Sequence, residues 1–224
     1  MITIDNIDFN KALKYLGYPR DCNGKAIALS DPATTKLLLD CSRQLLDIIT
    51  PKSIYKILKT SQFDNTYGLV VGNDIAQHLR FCEKVATIAV TIGDGVDALI
   101  RKLQVQDMAQ AVVVDALASV IVEQFLAETI VSIVDNNPNL FATWGFSAGY
   151  GDYPIQLQDK ILALVDAQRK IGLCIDGQFT LAPSKSITTI VGLSCDPIPR
   201  QRQSCECCER KNDCNFRKWD EHCN

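Results

Sequence analysis

The chain has 224 residues, 47% hydrophobic and 22% charged, with a net charge of −3. That length buries a core without staples, and the ordinary composition is that of a folded globular protein. The weak negative charge excludes a nucleic-acid footprint, and two histidines, His78 and His222, are too few for a His-based metal centre.

The first residues, MITIDNIDFNKALKYLGY, are acidic early and lack an apolar run, unlike a signal peptide. Residues 8–17 read as a short helix ended by Gly17. Ser30 is the expected N-cap of the next helix, with Pro32 in its first turn and Pro51 as its stop. SIYKILKT and YGLVV read as two strands about the polar turn SQFDNT. Asn73 or Asp74 caps a short helix, and VATIAVTI (85–92) is an apolar strand that turns through GDGVDALIRKLQ into a helix. Asp107 opens the longest apolar stretch, 108–134. It carries Gln110, Asp115, Glu123, Gln124 and Glu128, a set that a membrane span tolerates poorly, so it reads as a buried helix. Some 28 residues of helix span roughly 40 Å. LFATWGFS is a strand, AGYGDYP a loop and IQLQDKILALVDA an amphipathic helix; IGLCID and SITTIVGLS are the last two strands. The composition changes after Ser194. The expectation is a single α+β domain over 1–194, in a cytoplasmic protein with no membrane partner, followed by a Cys-rich tail over 195–224.

Four features carry candidate chemistry. TIGDGVDA has glycines at 93 and 95 between a strand and a helix, the local form of a dinucleotide-binding turn. The second parallel strand and its acidic end are missing, so it reads as a plain strand-to-helix turn. Asp115 lies in the apolar helix with Ser119 one turn on, either as a structural bond to a neighbouring loop or as a ligand-facing acid. WGFSAGYGDYP packs Trp144, Phe146, Tyr150 and Tyr153 among three glycines and a proline, which suits either a flat ligand or a packed turn. The tail spaces Cys205-x-x-Cys208-x5-Cys214, with Cys223, Cys207, His222 and Cys195 nearby. Cys205, Cys208, Cys214 and Cys223 would hold zinc or an iron–sulfur cluster, between which spacing does not choose; the other reading is a redox-sensitive terminus.

Several pieces follow in one order: ALKYLGY (12–18), TIGDGVD (91–97), DMAQAVVVDALASVIVE (107–123), then FSAGYGDYP through SITTIVGLS (146–194), then the Cys tail. In this the chain resembles the activation (reactivation) domain of cobalamin-dependent methionine synthase in its short stand-alone form. The resemblance implies a twisted, largely antiparallel sheet with a long central helix and flanking helices. It implies binding of S-adenosylmethionine and docking on a cobalamin-dependent methionine synthase or corrinoid protein that holds the cobalamin. An electron-donating reductase reduces inactive cobalt, and methyl transfer then traps it. The protein itself supplies binding and orientation, with no catalytic residue of its own.

By match to the family's Gly-Tyr turn, Gly149 and Tyr150 lie against the ligand, and Pro183, Ser184 and Ser186 match the segment that follows. Asp152 is added on chemical grounds, as an acceptor for the ligand's ammonium. The family motif carries an arginine five residues before the tyrosine, where it holds the ligand's carboxylate; here that position is Gly145, and the usual proline before the Gly-Tyr pair is Ala148. Lys185 is the candidate to reach in from another strand. Losing a charge-assisted pair costs about 1.5–3 kcal/mol, tenfold or more in affinity. The alternative is therefore a corrinoid-protein-binding or metal-carrying module of the same fold that has lost the methyl donor.

Overall fold

A computed structural model describes residues 3–19, 21 and 25–198. The cysteines expected as metal ligands, Cys205, Cys208, Cys214 and Cys223, lie outside the described residues, as does the rest of the tail beyond 198.

Helix α1 (Phe9–Tyr15) starts at Asp8, whose carboxylate accepts from Lys11 N–H. Helix α2 (Pro32–Leu46) is capped by Asp31, not Ser30. The Asp31 carboxylate accepts from the N–H groups of Ala33 and Thr34 and from the Thr34 hydroxyl, which hold it below the usual carboxylate range. Strand β1 (Lys52–Lys59) follows. The hairpin expected next is absent: SQFDN of the expected turn lies in helix α3 (Thr60–Asn65), with Thr66 as its C-cap, and YGLVV is irregular. Burial decides this. Phe63 and Leu69 are both fully buried and hydrogen-bonded Leu69 N–H to Phe63 O, a helical exit that leaves no ladder for a second strand.

Helix α4 (Asn73–His78) begins after Gly72, so Asn73 and Asp74 are its first residues and not its cap. Strand β2 (Lys84–Thr91) is buried at every residue but the first. Its unbroken apolar run suits a strand covered on both faces. Helix α5 (Gly95–Gln106) and helix α6 (Met108–Asp135) follow without a strand between them, which removes the dinucleotide-binding reading. Asp107 accepts from Gln110 N–H at 3.1 Å, as expected of the residue opening α6. Among the described residues α6 is the one helix long and apolar enough to cross a membrane, but Val114, Leu117, Ala118, Val120 and Ile121 along it are completely buried in the protein. The remaining elements are β3 (Phe141–Ala142), α7 (Gln158–Val165), α8 (Ala167–Ile171), β4 (Cys174–Ile175), β5 (Leu181–Ala182) and β6 (Ser186–Ser194). Asp166, left-handed at φ 56°, splits the expected helix 155–167 between α7 and α8.

The architecture is α+β, with an antiparallel sheet ordered β1-β2-β6-β3 and a separate hairpin of β4 with β5. Thr50 N–H donates to Ile92 O and Thr60 N–H to Glu83 O, each at 2.9 Å, so opposite ends of β1 and β2 meet. β3 runs antiparallel to β6.

Two compact units are assembled from interleaved segments. The first comprises described residues of Met1–Ser53, Val90–Val131 and Arg169–Ile187; the second, those of Ile54–Ala89, Ser132–Gln168 and Thr188–Asn224. In the first, Leu13, Leu38, Leu45, Ile92, Leu117 and Ile121 are fully buried. There Tyr15 donates to Glu123 at 2.7 Å and Lys11 pairs with the same carboxylate at 2.6 Å, fastening α1 to α6. The core of the second gathers Phe63, Leu69, Ile75, Phe146, Tyr153, Ile161 and Ile190.

Candidate functional site

The Gly-Tyr loop belongs to the second unit, and its geometry begins with a register slip. Phe141 faces Ser194 and Ala142 faces Leu193, whereas Phe146 faces Ile190. Residues 143, 144 and 145 therefore lie opposite only 191 and 192, which is a β-bulge. This is why the strand expected over 140–147 shortens to β3. Thr143 repairs the ladder: its N–H donates to Gly192 O at 2.9 Å, and its hydroxyl oxygen accepts Gly192 N–H at 2.8 Å where a backbone carbonyl would normally serve.

The bulge turns Trp144 into an aromatic group with Phe146, Tyr150 and His78. Trp144 and Tyr150 are close to parallel, with centroids 6.5 Å apart and planes at 25°. Phe146 meets Tyr150 edge-on at 5.9 Å. Phe146 and Tyr153 are buried, Trp144 is half-buried, and Tyr150 is 51% exposed. Tyr153 donates its hydroxyl to Leu69 O at 3.0 Å, and burial raises its pKa. So of the two tyrosines in the loop, one is a core anchor and the other is free surface. Gly149 is exposed, with its N–H donating to Tyr153 O at 2.9 Å.

Asp152 ties this loop to α4. Its carboxylate accepts from Asn73 N–H at 2.5 Å and Asp74 N–H at 3.1 Å, and its own N–H donates to the Asp74 carboxylate at 3.1 Å. The two aspartates thus cap each other's backbone. Gly151, at φ 51°, sits directly against the Asp74 carboxylate, and no β-carbon fits between them. The closeness of the pair is bought with that glycine.

At Gly145 the packing is as close. A β-carbon there would come within 2.5 Å of the Thr189 hydroxyl oxygen. Thr189 is 1% exposed and its hydroxyl has no hydrogen-bond partner among the described residues. At the position that carries an arginine in the motif the sequence resembles, the Thr189 hydroxyl takes the space a β-carbon would need.

Pro183, Ser184 and Ser186 lie in the first unit. Asp97 holds Ser184: its carboxylate accepts the Ser184 N–H at 2.9 Å and the Ser184 hydroxyl at short range, while Ser186 donates to Pro183 O at 2.7 Å. Asp97 is the last acid of TIGDGVD, so that motif serves to fasten this turn, a partner the sequence reading missed. Lys185 is committed as well. Its ammonium pairs with Asp115 at 2.8 Å and donates to Ser119 at 3.0 Å, and its side chain is only 13% exposed. It is therefore already engaged and does not stand in for the arginine. Asp115 has this lysine as its partner.

No family model matches the chain, and no curated protein does. Solved structures do. The fold is similar to the crystal structure of the MetH reactivation domain bound to AdoHcy, with a TM-score of 0.59 over 86% of this chain and 75% of that one. At 14% identity the likeness is one of fold.

His78 accepts or shares a hydrogen bond with Thr143 at 2.9 Å, and burial pushes its pKa down to about 4, so the ring is neutral. Burial pushes the thiols of Cys41 and Cys82 up to about 11, helped by Asp40 and Glu83 respectively, which leaves both unreactive. No group of three or more His, Cys, Asp or Glu side chains suited to a metal occurs among the described residues.

Proposed function

We propose that this protein is an accessory of the methionine synthase reactivation type. It binds S-adenosylmethionine on the Gly149–Tyr150 loop and presents the methyl group to a cobalamin held by a separate cobalamin-dependent methionine synthase or corrinoid protein. The bound cobalamin supplies the nucleophile for the methyl group once a reductase has delivered its electron. The observation that carries this reading is the reactivation-domain fold, whose solved example holds AdoHcy.

The chain's own part is binding and orientation. Tyr150 offers an exposed ring face to a sulfonium or a purine, and Gly149 beside it lets backbone approach. Asp152, whose oxygens already hold α4, keeps lone pairs for the ligand's ammonium and fixes the loop's position while doing so. Pro183, Ser184 and Ser186 are the further contacts that the family likeness adds. Calorimetry with S-adenosylmethionine tests the reading: binding that drops at least about tenfold in Tyr150→Ala is expected. No heat at millimolar ligand would remove the methyl donor.

One observation favours a second reading, a corrinoid-protein-binding or metal-carrying module. Gly145 stands where the motif has a carboxylate-binding arginine, with Thr189 against the space of its β-carbon, and Lys185 is occupied by Asp115. On this reading the tail cysteines Cys205, Cys208, Cys214 and Cys223 carry zinc or an iron–sulfur cluster. Anaerobically purified protein with neither metal sinks that part.

A further inference from the structure

We infer that the open edge of β1 is a docking site for an acidic, extended segment of a partner protein, which adds to the sheet as a further strand beside Ile54–Lys59. The inference stands apart from the methyl-donor reading, which calls for a partner but gives it no surface.

The two edges of the sheet differ. At one edge β3 is two residues long and runs into the bulge at 143–145, two features that blunt an edge. At the other edge β1 is eight residues long, contains no proline or glycine, and has β2 on one side only. Among the described residues, nothing outside the sheet hydrogen-bonds to the backbone of residues 54–58. A free strand edge offers N–H and C=O groups in alternation, so its complement must supply acceptors and donors in alternation. A peptide strand does this, whereas a phosphate chain has acceptors only.

Charge says which peptide. The stretch IYKILK, 54–59, has two lysines and no acid. Ile54 and Leu58, both half-buried, share a face with Lys56; Tyr55 and Ile57 share the other with Lys59. Lys56 Nζ lies 5.6 Å from the centroid of the Tyr67 ring, a contact that holds the ammonium in place without neutralising it. Thr60 N–H donates to Glu83 O, so Lys59 and Lys84 sit side by side on neighbouring strands. Glu83 gives its own carboxylate to Cys195 N–H at 3.1 Å. No acid pairs with Lys56, Lys59 or Lys84 among the described residues. All of these residues belong to the second unit.

Like charges facing each other across strands are destabilising, and an acidic strand laid alongside would relieve them. The same lysines guard against self-association, because a second copy of β1 would set lysine against lysine. The edge is thus closed to its own kind and open to an acidic one. Tyr55 and Tyr67, 42% and 37% exposed, add apolar contact beside it.

The test uses the full chain and the synthetic peptide Thr-Glu-Val-Glu-Glu-Val-Glu-Thr, labelled with fluorescein, whose acids fall on both faces of a strand. Saturable binding by fluorescence anisotropy is expected, with slowed amide hydrogen exchange at residues 54–58. The same peptide N-methylated at Glu and Val keeps its charge and loses its donors, and should bind at least about tenfold more weakly. An oligothymidylate should not compete. Lys56→Glu should weaken the peptide about tenfold. No binding at millimolar peptide, or equal binding of the N-methylated form, overturns the inference. Competition by the oligothymidylate also overturns it, in favour of a merely cationic surface. All but the Lys56→Glu measurement use the native chain, so a variant that fails to fold does not decide the matter. S-adenosylmethionine is absent throughout. Failure of the peptide therefore leaves the methyl-donor reading standing, and failure of S-adenosylmethionine to bind leaves the edge standing.

Discussion

Two segments are expected to contact ligand, and each is held in place by an aspartate. In the first unit Asp97 takes both the N–H and the hydroxyl of Ser184, and Ser186 turns its own hydroxyl back onto Pro183. In the second unit Asp152 and Asp74 hold only backbone N–H groups, and the side chain of Tyr150, in the same loop, is left half-exposed. The difference is where the hydrogen bonds end. Bonds to side-chain hydroxyls consume the groups that could meet a ligand. Bonds to backbone fix a loop and leave its side chains unspent. A pinned loop with an unspent aromatic is the better-preorganised surface.

The sharpest way to break this contrast is Gly151→Ala. The backbone there is left-handed, and the new methyl would collide with the Asp74 carboxylate. Strain and the lost mutual caps together should cost about 3 kcal/mol by urea denaturation. A variant as stable as the parent would mean that the aspartate pair does not hold the loop.

His78, behind Trp144, gives a test of nearly equal size. Its pKa is about 4 in the folded protein against about 6.5 unfolded, the cause being burial. Above pH 6.5 both states are neutral and the full stability is present. As pH falls below 6.5 the unfolded chain binds a proton that the folded one refuses, so stability drops until pH reaches 4 and then levels. The loss over that window should be about 3 kcal/mol, and His78→Gln should abolish it. A pH-independent stability between 4 and 6.5 contradicts the buried neutral ring. On the other side of the contrast, Asp97→Ala should cost about 1.5 kcal/mol, since Asp97 is only half-buried. It should leave the fall in S-adenosylmethionine affinity caused by Tyr150→Ala unchanged. A changed fall would show that the two segments do not act separately.

Much of this was readable in the residues. Apolar runs at 85–92 and 186–194 became the buried central strands, and the long apolar helix came out where Asp107 opens it, because burial of a continuous apolar stretch leaves little choice of structure. The hairpin expected at 53–71 failed because Phe63 and Leu69 contribute to a core assembled from distant segments, which overrode local turn chemistry. In the site, aromatic and glycine content marked the loop correctly as a loop. The bulge at 143–145 was not legible, since it is defined only by the partner strand. Nor was the pairing of Asp152 with Asp74, or of Lys185 with Asp115. Each joins residues about 70 or more positions apart, and nothing local in either partner announces the other.

The smallest effect tests the part of the second unit that sets the two functional readings against each other. Gly145 and Thr189 occupy one space, so they should be energetically coupled. Gly145→Ala overpacks against the Thr189 hydroxyl and should destabilise, whereas in a Thr189→Ala background the methyl has room. The coupling in this double-mutant cycle is expected to be about 1 kcal/mol, and additivity would deny the contact. The same cycle then carries a functional arm. Gly145→Arg with Thr189→Ala returns a guanidinium to the loop in a space cleared for it. A gain in S-adenosylmethionine affinity over the parent would show that the loop still receives the ligand's carboxylate and that Thr189 merely took the arginine's place. No gain, with the protein folded, would show that the loop now serves a ligand without that carboxylate. That outcome would turn the comparison from one of two ligand segments into one between a site that has changed its ligand and a turn that only holds the fold.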